Sequence, residues 1–276
     1  NAIARNMKTL NATVELKPTA GSRYSGVIEE YHEVKAFLLA ERPAQIRMIG
    51  QAPVIGKTVF DMASDGDSFR VSIPTKNKFL VGSVAGERNS TKPIENLRPQ
   101  HLLDALLWPE IRKEEAVTMK EFNNEQGRYY VLTVLRGGYQ LEVLREIWFD
   151  RANLQVARMQ TFGPKGILLS DVSFLNWEPL DNMSPAQNSA PAASTTSAAS
   201  TAPGPALRPS ITSFPRAILI DRPHDDYKLE LQVTKIAVNE EIPADRFKLE
   251  QPAGSELIHV GETATDAKPS IESKPQ

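Results

Sequence analysis

The chain has 276 residues, of which 41% are apolar and 24% charged, proportions that are ordinary for a globular protein. A net charge of -2 argues against nucleic acid as a partner, because its phosphates call for a clear basic surplus. Cysteine is absent, which excludes disulfides, thiolate catalysis and cysteine-ligated metals, and no stretch approaches the ~20 apolar residues of a membrane-spanning helix.

The first predicted elements are a short helix and then a series of strands. Ile3, Met7 and Leu10 recur at helical spacing, which predicts an amphipathic helix at the start of the chain. After it, apolar and polar residues alternate, the pattern of strands with one buried face. The residues predicted to share a buried strand face are Val34, Ala36, Leu38 and Ala40, then Ile46 and Met48, then Phe69, Val71 and Ile73, and near the end Tyr227, Leu229, Leu231 and Val233.

Turn residues separate several of these runs. Residues 64–67, 136–139 and 163–166 all contain glycine, and each group lies between two strand-like segments. Such short links can join only antiparallel neighbours, since parallel strands need a long crossover. The sequence therefore predicts a mainly β protein with a few helices (α+β), built on one strongly curved antiparallel sheet.

One segment interrupts the alternation. Residues 99–109 place Leu102, Leu103, Leu106 and Leu107 on one helical stripe, with a proline at each end of the segment. Two interpretations stand: the helix is ordinary core that plugs one end of the sheet, or it is a lid over a cavity.

The domain boundaries follow from composition. Residues 183–209 are mostly Ala, Ser, Thr and Pro, so they cannot bury enough apolar surface to offset their ordering entropy. Strand patterns resume at Phe214, but the remaining strands are too few to fold alone. The prediction is one domain over residues 1–261, in which 183–209 form a disordered insertion, followed by a flexible tail at 262–276.

The sequence contains no convincing catalytic or metal site. Residues 50–58 superficially resemble a phosphate-binding loop, but five residues separate its glycines where four are needed, and a strand pattern follows. Residues 224–226 are typical of a solvated turn. The histidines are scattered without metal-ligand spacing, at His32, His101, His224 and His259. We therefore expect a protein that is not an enzyme and that uses no metal and no cofactor.

Arg42 is the polar residue with the most unusual position. It shares strand parity with Val34, Ala36, Leu38 and Ala40, so it projects toward the same apolar interior unless it lies beyond the sheet. An unpaired buried charge is very costly. Arg42 is therefore either a solvated residue at a strand end, or an internal donor to the C-terminal carbonyls of a lid helix or to a polar headgroup.

The order of several short motifs resembles the Lol-type (LolA/LolB-like) lipoprotein carriers and receptors. The motifs are an Arg-Pro step in residues 41–48, a Ser-Asp-Gly hairpin in 60–66, a strand ending on a Pro-containing turn in 73–77, and the closing segments 241–247 and 252–254. The resemblance covers Asn1 to about Val260 apart from the insertion. The insertion and the greater length of the chain depart from a minimal carrier.

The resemblance implies a half-open β-barrel with helices covering its concave face, and a role in carrying or receiving lipoproteins through their acyl chains. The family's strand arginine, which helps to hold the lid closed, corresponds to Arg42. The side chains expected to line the cavity are Val34, Ala36, Leu38, Ile46, Met48, Phe60, Met62, Phe69, Val71, Leu103 and Leu107.

The expected partners are acyl chains or lipoproteins, with a protein of the envelope as a further option. The expected location is the periplasm or the periplasmic face of the outer membrane. If the protein is a lipoprotein, its lipidated cysteine lies upstream of Asn1. The alternative function is an interaction or stress-sensor module of the envelope, with the same fold and a filled cavity.

Overall fold

The computed structural model describes residues 2–21, 29–30, 32–85, 98–138, 140–183 and 212–260. Its two α-helices are α1 (Ala2–Asn6) and α2 (Pro99–Leu107). Its strands are β1 (Thr9–Ala20), β2 (Glu29–Glu30), β3 (Val34–Glu41), β4 (Gln45–Gln51), β5 (Thr58–Ser64), β6 (Ser68–Ile73), β7 (Lys78–Ser83), β8 (Glu115–Asn124), β9 (Gly127–Arg136), β10 (Glu142–Asp150), β11 (Val156–Phe162), β12 (Leu168–Pro179), β13 (Ser213–Arg222), β14 (Tyr227–Val238) and β15 (Glu256–Val260). Short 3₁₀ helices span Pro74–Lys76, Pro164–Gly166, Leu180–Asn182 and Ala244–Phe247.

The strands form one curved sheet that does not close on itself. Their spatial order is β15-β7-β6-β5-β4-β3-β1-β14-β13-β12-β11-β10-β9-β8, and β2 pairs with one end of β1. The sheet is antiparallel except at one edge, where β15 runs parallel to β7. The sequence prediction of an antiparallel sheet misses this pair. Residues 84–255 separate the two strands, so no short turn constrains their direction.

The apolar and polar residues that alternate in the sequence lie on opposite faces of the sheet. In β3, Val34, Ala36, Leu38 and Ala40 are buried, and the residues between them are more exposed. The predicted turns at 64–67 and 163–166 join β5 to β6 and β11 to β12. The turn at 136–139 joins β9 to β10, although Tyr139 lies outside the described residues. Residues 52–57 join β4 to β5, so the glycine-containing segment there is a turn.

The main core lies on one face of the sheet, which we call the core face. Strands β1, β3, β4, β12, β13 and β14 contribute apolar side chains to it, and α2 packs on it against β4 and β5. The predicted N-terminal helix is wrong in extent, because α1 ends at Asn6 and Leu10 already belongs to β1. Met7 and Leu10 are nevertheless both fully buried in the core.

The predicted insertion falls between two directly paired strands. Pro179 at the end of β12 lies opposite Ser213 at the start of β13. Met183, which the sequence analysis placed inside the insertion, is buried in the core, and its carbonyl accepts a hydrogen bond from the Ile236 amide. Residues 184–211 and the predicted tail lie outside the described residues. Among the helices that the structure describes, none has the length and apolar character to cross a membrane.

Candidate functional site

The helix α2 packs on the core face against β4 and β5. Pro99 stands at its first position, where the missing amide hydrogen costs no intrahelical bond. The helix ends at Leu107, and Trp108 follows with a left-handed φ of 42°. Its four leucines are all buried. Because apolar residues cover nearly every side of α2, the helix lies within the protein rather than on its surface.

Arg42 holds the C-terminal end of α2. Its guanidinium donates to the carbonyl oxygen of Leu107 and, over 2.8 Å, to that of Trp108, while its Nε donates to the Met7 carbonyl over 2.9 Å. The last carbonyls of a helix have no intrahelical partner, so a cationic donor there satisfies them. Burial lowers the pKa of Arg42, and the carboxylates of Glu110 and Asp104 oppose that shift. Arg42 follows the last residue of β3 and is partly buried, and it donates to the C-terminal carbonyls of α2.

Polar contacts also fix the N-terminal end of α2. His101 Nδ1 is hydrogen-bonded to the Tyr227 hydroxyl, and the Arg98 guanidinium lies 4.5 Å from the centre of the Phe69 ring. Both are buried. The sequence analysis did not identify this cluster, because residues far apart in the chain form it. Side-chain contacts therefore fix α2 at both of its ends.

A buried ion pair lies in the turn after β13. Arg222 Nε donates to the Asp225 carboxylate over 2.6 Å, and both residues are nearly inaccessible to solvent. The turn expected at residues 224–226 is present, but it is not fully solvated, since Asp225 is buried. The signal that could have revealed the pair is the strand parity of Arg222, which matches that of buried Ile218 and Ile220.

Asp104 is the exposed residue of α2. Solvent reaches its side chain, yet desolvation by the surrounding protein raises the pKa of its carboxyl, while Arg222, Arg145 and Arg42 oppose the rise. Both observations fit a carboxyl in a recess of the protein rather than one in open solvent. The side of α2 that carries Asp104 is therefore its solvent-exposed side.

The structure brings the side chains predicted to line a cavity together on the core face. Ala36, Leu38, Ile46 and Met48 are completely buried, and Val34 and Met62 are nearly so. Leu103 and Leu107 of α2 belong to the same cluster, while Phe60 and Val71 pack at its margin. Phe69 is buried beneath Arg98. In the described conformation these side chains form a packed interior with α2.

A row of apolar side chains continues along the core face beyond α2 to the edge strand β8, next to the Arg145–Glu115 ion pair on the same face. Directly paired residues lie on one face of a sheet, and one row of them crosses seven strands. It runs through Leu229, Ile220, Val172, Met159, Ile147, Leu132 and Met119. The first four are buried, whereas Met119 is 64% exposed and its neighbour Val117 is 45% exposed. We call the part of this face on β8 to β11 the open apolar stretch.

The sequence analysis did not assign the open apolar stretch to a site. Its signal is present in the alternation of Val117 with Met119, and of Leu132 with Val134. What the sequence could not show is that α2 leaves these strands uncovered. In the part of the chain that the structure describes, no three His, Asp or Glu side chains are grouped as a metal site.

Comparison with solved structures relates this chain to three proteins. A DUF1329 family protein from Desulfovibrio piger aligns over 89% of this chain and 91% of its own, with 11% identity and a TM-score of 0.50. A LolA superfamily protein from Nitrosomonas europaea aligns over 90% and 94%, with 10% identity and a TM-score of 0.48. An outer membrane lipoprotein-sorting protein domain from Vibrio parahaemolyticus aligns over 87% and 89%, with 11% identity and a TM-score of 0.48.

No family model matches the chain, and no curated protein matches it. At 11% identity, the likeness to the DUF1329 protein concerns the fold alone. The Lol-type resemblance stays a prediction from the sequence.

Proposed function

We propose that this chain binds acyl chains of lipids or lipoproteins on the core face of its sheet, as a non-enzymatic carrier or receptor in a bacterial cell envelope. One observation carries the proposal: a row of paired apolar side chains on the core face reaches the edge of the sheet, where Met119 is 64% and Val117 45% exposed. A sheet face that meets only water normally alternates to polar residues. The sequence resemblance around Arg42 supports the same function.

In this proposal the sheet is a half-open barrel, and α2 forms one wall of the binding space on its concave face. Each methylene that an acyl chain buries contributes roughly 0.8 kcal/mol, so ten methylenes contribute about 8 kcal/mol before the entropic cost of binding. The predicted lining residues from Val34 to Val71 lie behind α2, so a chain reaches them only if α2 moves. Arg42 then controls access, because it holds the C-terminal end of the helix.

A fluorescent fatty-acid analogue, displaced by palmitate, tests the proposal. Met119→Glu places a carboxylate on the open apolar stretch, where a bound chain must desolvate it, so we expect affinity to fall at least about tenfold. Thr118→Glu is the matched control, because Thr118 is exposed on the opposite face of the same strand. A folded wild-type protein that takes up no probe, or equal binding by both variants, would contradict the proposal.

The alternative function is an interaction or stress-sensor module with a filled interior. The complete burial of Ala36, Leu38, Ile46 and Met48 against α2 favours it, since a packed core has no room for a ligand. Mass spectrometry of the native protein separates the two functions. Lipid that co-purifies with the protein favours the carrier or receptor function. A lipid-free protein that also takes up no probe favours the interaction or sensor module.

A further inference from the structure

A groove lies on the other face of the sheet, across β1 and β8 to β14. It encloses a volume of about 870 Å³, within the range of small-molecule and oligomer sites. One row of directly paired residues crosses it, through Lys17, Glu230, Leu219, Ser173, Arg158 and Trp148. Residues of both β1 and β8 line the groove. The groove is separate from the open apolar stretch.

The charges in the groove balance. Its cationic side chains are Lys17, Arg158 and Lys228, and its anionic ones are Asp171, Asp221 and Glu230. Arg158 donates to both oxygens of Asp171, and Lys228 lies 2.8 Å from Asp221. Lys17 stands opposite Glu230 in the sheet. A ligand with a net charge therefore gains little electrostatic attraction from the groove as a whole.

Apolar surface lies among these ion pairs. Trp148 packs edge-on against Phe122, at 4.9 Å between ring centres, and against Tyr129, at 5.6 Å. Two apolar side chains that line the groove remain accessible, Phe122 at 38% exposure and Leu175 at 45%. Apolar side chains and hydrogen-bonding groups therefore alternate along the groove, and the polar groups include both donors and acceptors.

From this chemistry we infer that the groove binds a neutral saccharide chain. Sugar rings present apolar C–H faces that pack on aromatic and leucine side chains, and hydroxyl groups that both donate and accept hydrogen bonds. A bound acyl chain would remove water from the ion pairs of the groove and would offer them no hydrogen bonds in return. An extended peptide binds best by pairing with a free strand edge. Of the strands that line the groove, β1 and β9 to β14 are paired on both sides, and β8 alone lies at an edge of the described sheet.

Calorimetric titration with neutral oligomers of glucose and of N-acetylglucosamine tests the inference. We expect saturable binding of at least one oligomer that Phe122→Ala weakens about tenfold or more. Phe122 is partly exposed on an edge strand, so its removal leaves the core intact. Met119→Ala is the matched control, since it truncates an exposed side chain on the other face of the same strand, and we expect unchanged saccharide binding.

Two outcomes would overturn the inference. One is that the folded protein binds none of these oligomers at millimolar concentration. The other is that Phe122→Ala and Met119→Ala bind them equally. The fatty-acid assay separates this inference from the proposed function, because Phe122→Ala should retain the fatty-acid probe and Met119→Glu should retain the saccharide. A failure in one assay therefore leaves the other site untouched.

Discussion

Arg42 connects three carbonyl oxygens from two distant parts of the chain. Met7 follows α1, while Leu107 and Trp108 form the end of α2, and one guanidinium satisfies all three. A planar cation with several fixed donors suits this geometry, whereas an ammonium group provides a single point of charge. Arg42 therefore acts as the main polar connection between the strand region around β3 and β4 and the helix above it.

Replacing this residue should loosen α2 specifically. We expect Arg42→Leu to reduce the free energy of unfolding by roughly 2–4 kcal/mol, because it leaves buried carbonyl groups without donors. Hydrogen exchange at the α2 amides should accelerate, with an intermediate effect for Arg42→Lys.

Arg47→Leu is the matched control for that experiment. Arg47 pairs with Asp61 and donates to the carbonyls of Arg246 and Lys248 on the other face of the sheet. Loss of this side chain should accelerate hydrogen exchange at the amides of residues 244–248 and leave the exchange rates of the α2 amides unchanged. Unchanged exchange of α2 in Arg42→Leu would show that apolar packing alone holds the helix.

At the scale of the element, α2 combines tight packing with one carboxyl group in a recess. Desolvation raises the pKa of Asp104 above its ordinary value of 3.8, so the folded state binds this proton more tightly than the unfolded state does. The contribution of this group to stability is therefore fully present at low pH. This contribution declines as the pH rises from the pKa of Asp104 in the unfolded state to its higher pKa in the folded state.

Asp104→Asn should remove this pH dependence. We expect the variant and the wild type to have similar stability near pH 3.8, and the variant to become the more stable as the pH rises toward neutrality. Urea unfolding across this range measures the difference. Should the wild type become the more stable at neutral pH, attraction to Arg42, Arg145 and Arg222 would outweigh the desolvation.

Elements with a local signal could be predicted from the sequence. Alternation identified β3 and β14, and prolines bounded α2. The parallel pairing of β15 with β7 could not be predicted, because no local pattern specifies a partner so distant in the chain. The groove was missed for the same reason, since it assembles from many strands.

At the scale of the whole molecule, the C-terminal segment joins two halves of the sheet. Strands β3 to β7 extend from one side of β1, and β8 to β12 form a continuous series elsewhere. Only β13 and β14 connect them among the described strands, by pairing with β12 and β1. Neither half completes the core without this connection, which supports the proposal of one domain interrupted by an insertion.

A chain divided within the insertion should therefore reassemble. We expect residues 1–183 and 212–276, produced as separate chains in the same cell, to co-purify and to unfold in one transition, because β13 and β14 lie in the interior of the sheet. Leu231→Asp in the shorter chain should prevent assembly, since Leu231 is fully buried between Leu16 and Ile218. Lys235→Asp, at a position on the same strand that is not buried, is the control and should still assemble. If residues 1–183 alone gave a monomer with a cooperative unfolding transition, the insertion would instead separate two independent domains.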